Sequence, residues 1–148
     1  MTRFFQKILL SESYEQGLVT LVRIGLGVIF VWFGVLKILG FNPVFDLIYN
    51  SILPWLADGP GLMTLGIFET FIGILLLSNR ALIFTHTIVF FHLLGTFSTF
   101  IFGWHIVFQP YFPMLSLDGE FVIKNIILAL AGLVVLVYES RKKAGRNG

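Results

Sequence analysis

Six ionisable residues stand inside long apolar runs of this sequence: Arg23, Lys37, Glu69, His86, His92 and Lys124. If those runs cross a bilayer, each full charge costs about 2.5–3.5 kcal/mol on insertion scales, so each needs a partner or a task. Spacing sorts them onto faces. Arg23, Gly27, Phe30, Gly34 and Lys37 alternate in steps of four and three, which puts two cations and two glycines on one helical stripe. Gly66, Glu69 and Gly73 share a second stripe, with the carboxylate between small residues. Thr85, His92 and Thr99 recur at heptad spacing, with Gly95 beside them. Lys124 and Asn125 open a fourth run, in which Leu128, Ala131 and Val135 follow on the Lys124 face. A carboxylate among cations and a histidine can form a structural ion pair, pass a proton, or hold the polar end of a ligand. Arg23, Lys37, Glu69, His92, Lys124 and Asn125 are therefore the expected ligand-binding residues or buried polar network.

Depth along each helix limits the pairings. At about 1.5 Å per residue, Glu69 falls near the middle of its run and His92 close to the same level. His92, or a long Arg23 side chain reaching inward, is the expected partner of Glu69; without one, Glu69 would keep its proton. Lys37 and Lys124 fall near the opposite edge from Arg23, where their stems can snorkel to water. His86 and His92 are separated by about 240° of rotation and about 9 Å of rise, so they cannot ligate one atom. No metal site is expected, and no cofactor is evident. The chain has no cysteine, which removes disulfides, thiolate catalysis and iron–sulfur ligation. No nucleophile–base pair, phosphate loop or nucleic-acid signature is present, so no catalytic residue is assigned.

Four runs must carry these stripes, at about residues 18–39, 62–77, 81–102 and 121–138, against a need for about 20 residues per membrane helix. Composition agrees. Of 148 residues 57% are hydrophobic and only 12% charged, and mean hydropathy is +0.91. Ordinary soluble domains carry about a quarter charged residues, and so few charges cannot coat seventeen phenylalanines. Soluble-enzyme classes are excluded.

Seven of the ten Lys and Arg residues (Arg3, Lys7, Arg80, Arg141, Lys142, Lys143, Arg146) flank the runs on what must be one side, if the spans alternate. The two opposite loops, residues 40–61 and 103–120, hold no Lys or Arg but contain Asp46, Asp58, Asp118 and Glu120. Basic flanks stay in the cytoplasm. The expected fold is all-α: an integral four-helix membrane bundle, antiparallel and up-down, with both termini cytoplasmic and residing in the inner (plasma) membrane. Residues 1–16 read as a cytoplasmic amphipathic segment, with an interfacial helix over 2–10. The membrane domain covers 17–138, and 139–148 form a basic tail. Ser78-Asn79-Arg80 forms a tight turn. In the first outer loop, Asn42 as N-cap and Pro43 at the first helical position predict a short amphipathic interfacial helix carrying Phe41, Phe45, Ile48 and Ile52. The second outer loop, rich in Trp104, Phe108, Tyr111, Phe112 and prolines, suits the headgroup belt.

The order of these motifs resembles the DoxX/DoxD-like membrane proteins. Arg23-xxx-Gly27-xx-Phe30-xxx-Gly34-xx-Lys37 is similar to that family's first span, and Gly66-Ile67-Phe68-Glu69 running to Gly73-Ile74-Leu75-Leu76-Leu77 to its second. Pro113-Met114-Leu115-Ser116, Gly119 and Val122-Ile123-Lys124-Asn125 resemble its approach to the fourth span. The likeness runs from about residue 17 to 138 and extends to a related bacterial branch linked to reactive-chlorine resistance. Glu120 departs from it, standing where a basic residue is expected. The resemblance implies a non-catalytic subunit or scaffold of a redox or envelope-stress system. It leaves room for a quinone ligand and for an oxidoreductase partner beside the lipid bilayer, and self-association stays open. Two other readings stand beside it: a small proton-coupled carrier titrating at Glu69, and a membrane enzyme using Glu69 or His92 on a lipid or quinone.

Overall fold

The computed structural model describes residues 11–146. The interfacial helix expected over residues 2–10 lies outside the described residues. Helix α1 spans Glu12–Ile38. It begins at the polar run that precedes the apolar one, because the Ser11 side chain accepts a hydrogen bond from the Tyr14 amide (3.3 Å). Glu12 and Glu15 then complement the positive end of the helix dipole, and Lys37 the negative end. After a loop containing the short helix α2 (Phe45–Tyr49) and a 3-10 turn at Pro54–Leu56, helix α3 covers Gly59–Ser78. Its start at Asp58-Gly59-Pro60 lengthens the second run to 20 residues, enough to cross a bilayer.

Asn79 ends α3 in the left-handed conformation (φ 55°). Helix α4 (Leu82–Phe97) continues through Ser98 into the short α5 (Thr99–Phe102), the two making one apolar span over Ile83–Phe102. A four-residue helix α6 (Trp104–Val107) leads into a compact loop. Helix α7 (Leu117–Arg146) closes the fold and extends unbroken through the basic residues 141–146. Among the described residues there is no β-strand, only a bridge between Phe108 and Leu115.

Four helices are long and apolar enough to cross a membrane. Trp32, Phe91 and Ile101 lie on the outside, Ile101 78% exposed, along with most other large apolar side chains. Water would not tolerate that surface. A bilayer would, and the chain is a multi-pass membrane protein. The core itself is narrow: Leu26, Phe30, Ile72, Leu76, Val89 and Leu93, with Leu128, Ala129 and Ala131 of α7 packed against it.

The closest helix contact joins α1 to α3, and glycine makes it. A Cβ on Gly66 would fall 2.6 Å from the Gly34 carbonyl oxygen, and one on Gly73 2.7 Å from that of Gly27. Neither position can carry a side chain without parting the helices. Between helices in lipid, where burial from water supplies no drive, such close backbone packing is a main source of association.

The first loop corrects its sequence reading. Asn42 does not cap a helix starting at Pro43. Its side-chain oxygen accepts from the Val44 amide (3.3 Å) and its Nδ2 donates to the Ala57 carbonyl (2.6 Å), which ties the loop to itself. The helix therefore starts late and buries Leu47, while Phe45 and Ile52 face outward. Two hydroxyls seat this loop on the third span: Thr99 donates to the Leu47 carbonyl (3.2 Å), and Ser98 accepts from the Ile52 amide (3.0 Å). In the second loop, Ser116 accepts from the Gly119 amide (3.0 Å), capping α7, and donates to the Ile106 carbonyl.

The glycine contact predicts unequal effects of one added methyl. Gly66→Ala should lower stability in detergent micelles by about 1–3 kcal/mol through overpacking. Gly25→Ala, whose Cβ would meet nothing within 4 Å, should be neutral or stabilising. Denaturant unfolding of both variants checks this, and equal effects would contradict the close crossing.

Candidate functional site

Glu69 sits at the middle of α3, one turn from Gly66 and one from Gly73. Because these glycines let α1 approach, the Lys37 stem passes beside Gly66 and its Nζ reaches Glu69 Oε2 at 2.6 Å. From the other side, His92 of α4 places Nε2 3.3 Å from Glu69 Oε1. Both carboxylate oxygens are engaged, and three helices meet at one side chain. Lys37 and Glu69 are almost wholly buried, with side chains 3% and 7% exposed, whereas His92 keeps 16%.

The surroundings are aromatic. The Phe30 ring meets His92 edge-on (centroids 5.5 Å), Phe68 lies at 6.3 Å, and Phe33 lies under the Lys37 ammonium at 5.6 Å. Such rings exclude water while offering their negative faces to a cation. Without water, the charges depend on each other. Removing Lys37 or Glu69 would leave the other charge of the pair uncompensated, at a cost of about 3–5 kcal/mol. The arrangement can hold α1, α3 and α4 in fixed register, and the His92–Glu69 contact is short enough to pass a proton.

Two sequence expectations change here. Lys37 does not snorkel to the edge; it is the main partner of Glu69. Arg23 does not reach Glu69. Its Nη1 donates to the carbonyls of Leu76 and Leu77 (the latter at 3.1 Å) in the last turn of α3, where Leu76 also accepts from the Asn79 amide (3.3 Å). Arg23 thus serves as a cap from a neighbouring helix, and its charge suits the negative end of the α3 dipole. It is buried, and its Nε has no hydrogen-bond partner among the described residues.

The last helix divides the remaining candidates. Asn125 is buried, on a face shared with Val122, Gly132, Val135 and Glu139. Lys124 does not join the interior. Its side chain is 73% exposed and pairs with Glu120 at 2.9 Å, one turn earlier on the same helix. One residue along a helix turns the face by about 100°, which is enough to send Lys124 out when Asn125 goes in.

A search of protein-family models, of curated proteins and of solved structures finds no match to this chain.

Thr85 and Thr99, which share the His92 heptad, are fully buried. Thr85 bonds back to the Arg80 and Ala81 carbonyls (3.2 and 3.1 Å) at the start of α4. His86 packs toward the last helix, its Cδ2 3.7 Å from where a Gly132 Cβ would be. His105 lies in the second loop, away from the other histidines. Sequence reasoning missed Glu139, which is buried near the end of α7. Its seven-residue spacing from Gly132 and Asn125 was the available signal, hidden by the basic run that follows it.

The triad predicts strong non-additivity. Lys37→Met or Glu69→Leu alone should each cost about 3–5 kcal/mol, and the double variant less than their sum. Lys124→Ala should stay within about 0.5 kcal/mol of the parent. Unfolding of the four proteins in micelles measures this, and additive losses would mean the charges are not paired.

Proposed function

We propose that this chain is a DoxX-like, non-catalytic inner-membrane subunit or scaffold, serving a redox or envelope-stress system. The observation that carries the reading is the engagement of Glu69 on both oxygens. A carboxylate held by a lysine and a histidine, beneath aromatic rings, is suited to fixing helices in place. A reacting carboxylate would instead be expected to face an open pocket. Two grooves lie among the loops, lined by Tyr49 and Trp55 or by Trp104 and Phe108, away from the triad. A catalytic partner, an oxidoreductase of the membrane or its surface, would supply the chemistry, and a quinone would be the lipid-soluble ligand between them.

The same proposal gives the bundle an antiparallel, up-down course with both termini in the cytoplasm. The contacts of Gly27 with Gly73 and Leu77, and of Gly34 with Gly66 and Thr70, favour opposed directions for α1 and α3. The seven flanking Lys and Arg residues favour a cytoplasmic location for the termini.

Since the chain has no cysteine, single introduced thiols report topology cleanly. In intact cells an impermeant maleimide should label Asp58→Cys and spare Ser140→Cys. The reverse pattern would invert the orientation. Co-purification from native membranes in mild detergent should bring a stoichiometric oxidoreductase or stress-response protein. A lone chain, whose deletion leaves survival of redox stress unchanged, would end the scaffold reading. The proton-coupled carrier is the second reading, favoured by the partial exposure of His92 beside Glu69. Proteoliposome uptake lost in Glu69→Gln would establish it instead.

A further inference from the structure

The loop end of the molecule carries a groove of about 1050 Å³ that the triad does not touch. Trp104, Phe108, Tyr111 and Phe112 line it, together with His105 and Asp118. The rings are organised against one another: Trp104 meets Phe108 at 4.2 Å and Phe112 at 5.9 Å, and Phe108 meets Phe112 at 5.2 Å between centroids. The loop is braced from below by Ser116, whose amide donates to the Val107 carbonyl (3.0 Å). Tyr111 and Phe112 nevertheless stay largely exposed.

Asp118 stands at the rim on the first turn of α7, with no ion-pair partner among the described residues. Partial burial, and then the repulsion of Asp46 in the first loop, hold the Asp118 carboxyl above its ordinary value, and a cation beside it would relieve both. Neither loop contains a Lys or Arg to neutralise them. A second, smaller groove of about 440 Å³ repeats the combination with Tyr49, Trp55 and Asp58. Aromatic faces attract an organic cation through their quadrupole, and a nearby carboxylate supplies the counter-charge. An ammonium with methyl or methylene substituents satisfies both, since its carbon atoms pack on the rings while its charge meets the acid.

We infer that the groove formed by Trp104, Phe108, Tyr111, Phe112 and Asp118 binds an alkylammonium group. The group is either the amine headgroup of a phospholipid or a free quaternary or primary amine of the same chemistry. A neutral or anionic ligand is disfavoured by the unmatched acidic charge around the groove.

Choline is the probe, and its uncharged isostere 3,3-dimethylbutan-1-ol is the control. Trp104 fluorescence is followed in a Trp32→Phe, Trp55→Phe background of the full chain in non-ionic micelles. Choline should give a saturable change that the isostere does not. Asp118→Asn should weaken binding roughly tenfold, and Asp118→Glu should restore most of it. Glu120→Gln, an equal loss of charge nearby, should change affinity by no more than about twofold. Absence of saturation, an equal response to the isostere, or equal losses in Asp118→Asn and Glu120→Gln would overturn the site. Monodisperse elution and an unchanged helical spectrum of each variant exclude misfolding as the cause. In phosphatidylglycerol nanodiscs, added phosphatidylethanolamine should compete with choline if the headgroup is the natural occupant. If affinity stays unchanged, the site belongs to a soluble amine.

Discussion

A carboxylate at the centre of an apolar helix has few stable arrangements, and the structure is organised around the one that Glu69 adopts. Lys37 neutralises it from α1, and His92 occupies its second oxygen from α4. In a medium with little water, an uncompensated charge costs far more than any single packing contact contributes. The three helices must therefore meet at this level and in this rotation. The glycines permit the meeting. With side chains at Gly34 and Gly66, α1 could not come close enough for the lysine stem to pass beside α3.

Around that centre, polar groups are used mainly to close ends. Arg23 reaches across to the carbonyls that finish α3, while Thr99 and Ser98 take up backbone groups of the first loop, and Ser116 caps α7. Each satisfies main-chain atoms that a bilayer would leave bare. The consequence is a molecule in two parts. Its middle is dry and paired, with a small core lined by Leu26, Ile72, Leu76 and Val89. Its loop end is braced, open, acidic and aromatic, and carries two grooves.

This division bears on how the protein can work. A fully engaged Glu69 is suited to holding helices, and only His92 retains some exposure from which a proton could enter or leave. The parts free to meet another molecule are the loop end and the lipid-facing sides. The proposed scaffold role rests on that division.

The sequence by itself determined the four spans and the faces that α1 and α3 would bury. The stripe Arg23, Gly27, Phe30, Gly34, Lys37 is buried along its whole length, as are Gly66, Glu69 and Gly73. Helical periodicity and the cost of exposed charge in lipid are local rules, and they leave readable patterns. Local rules do not set how one helix slides or turns against the next. Only the tertiary structure decided that Lys37 meets Glu69 while Arg23 caps the end of α3. Likewise, it turned α7 so that Asn125 and Glu139 face inward and Lys124 outward. The start of α2 followed the same logic, because Asn42 spends its side chain on Ala57, fifteen residues away, instead of on a helix of its own. Register and rotation come from contacts distant in the chain: periodicity puts the glycines on one face of each helix, but which glycine meets which is set only by the crossing itself.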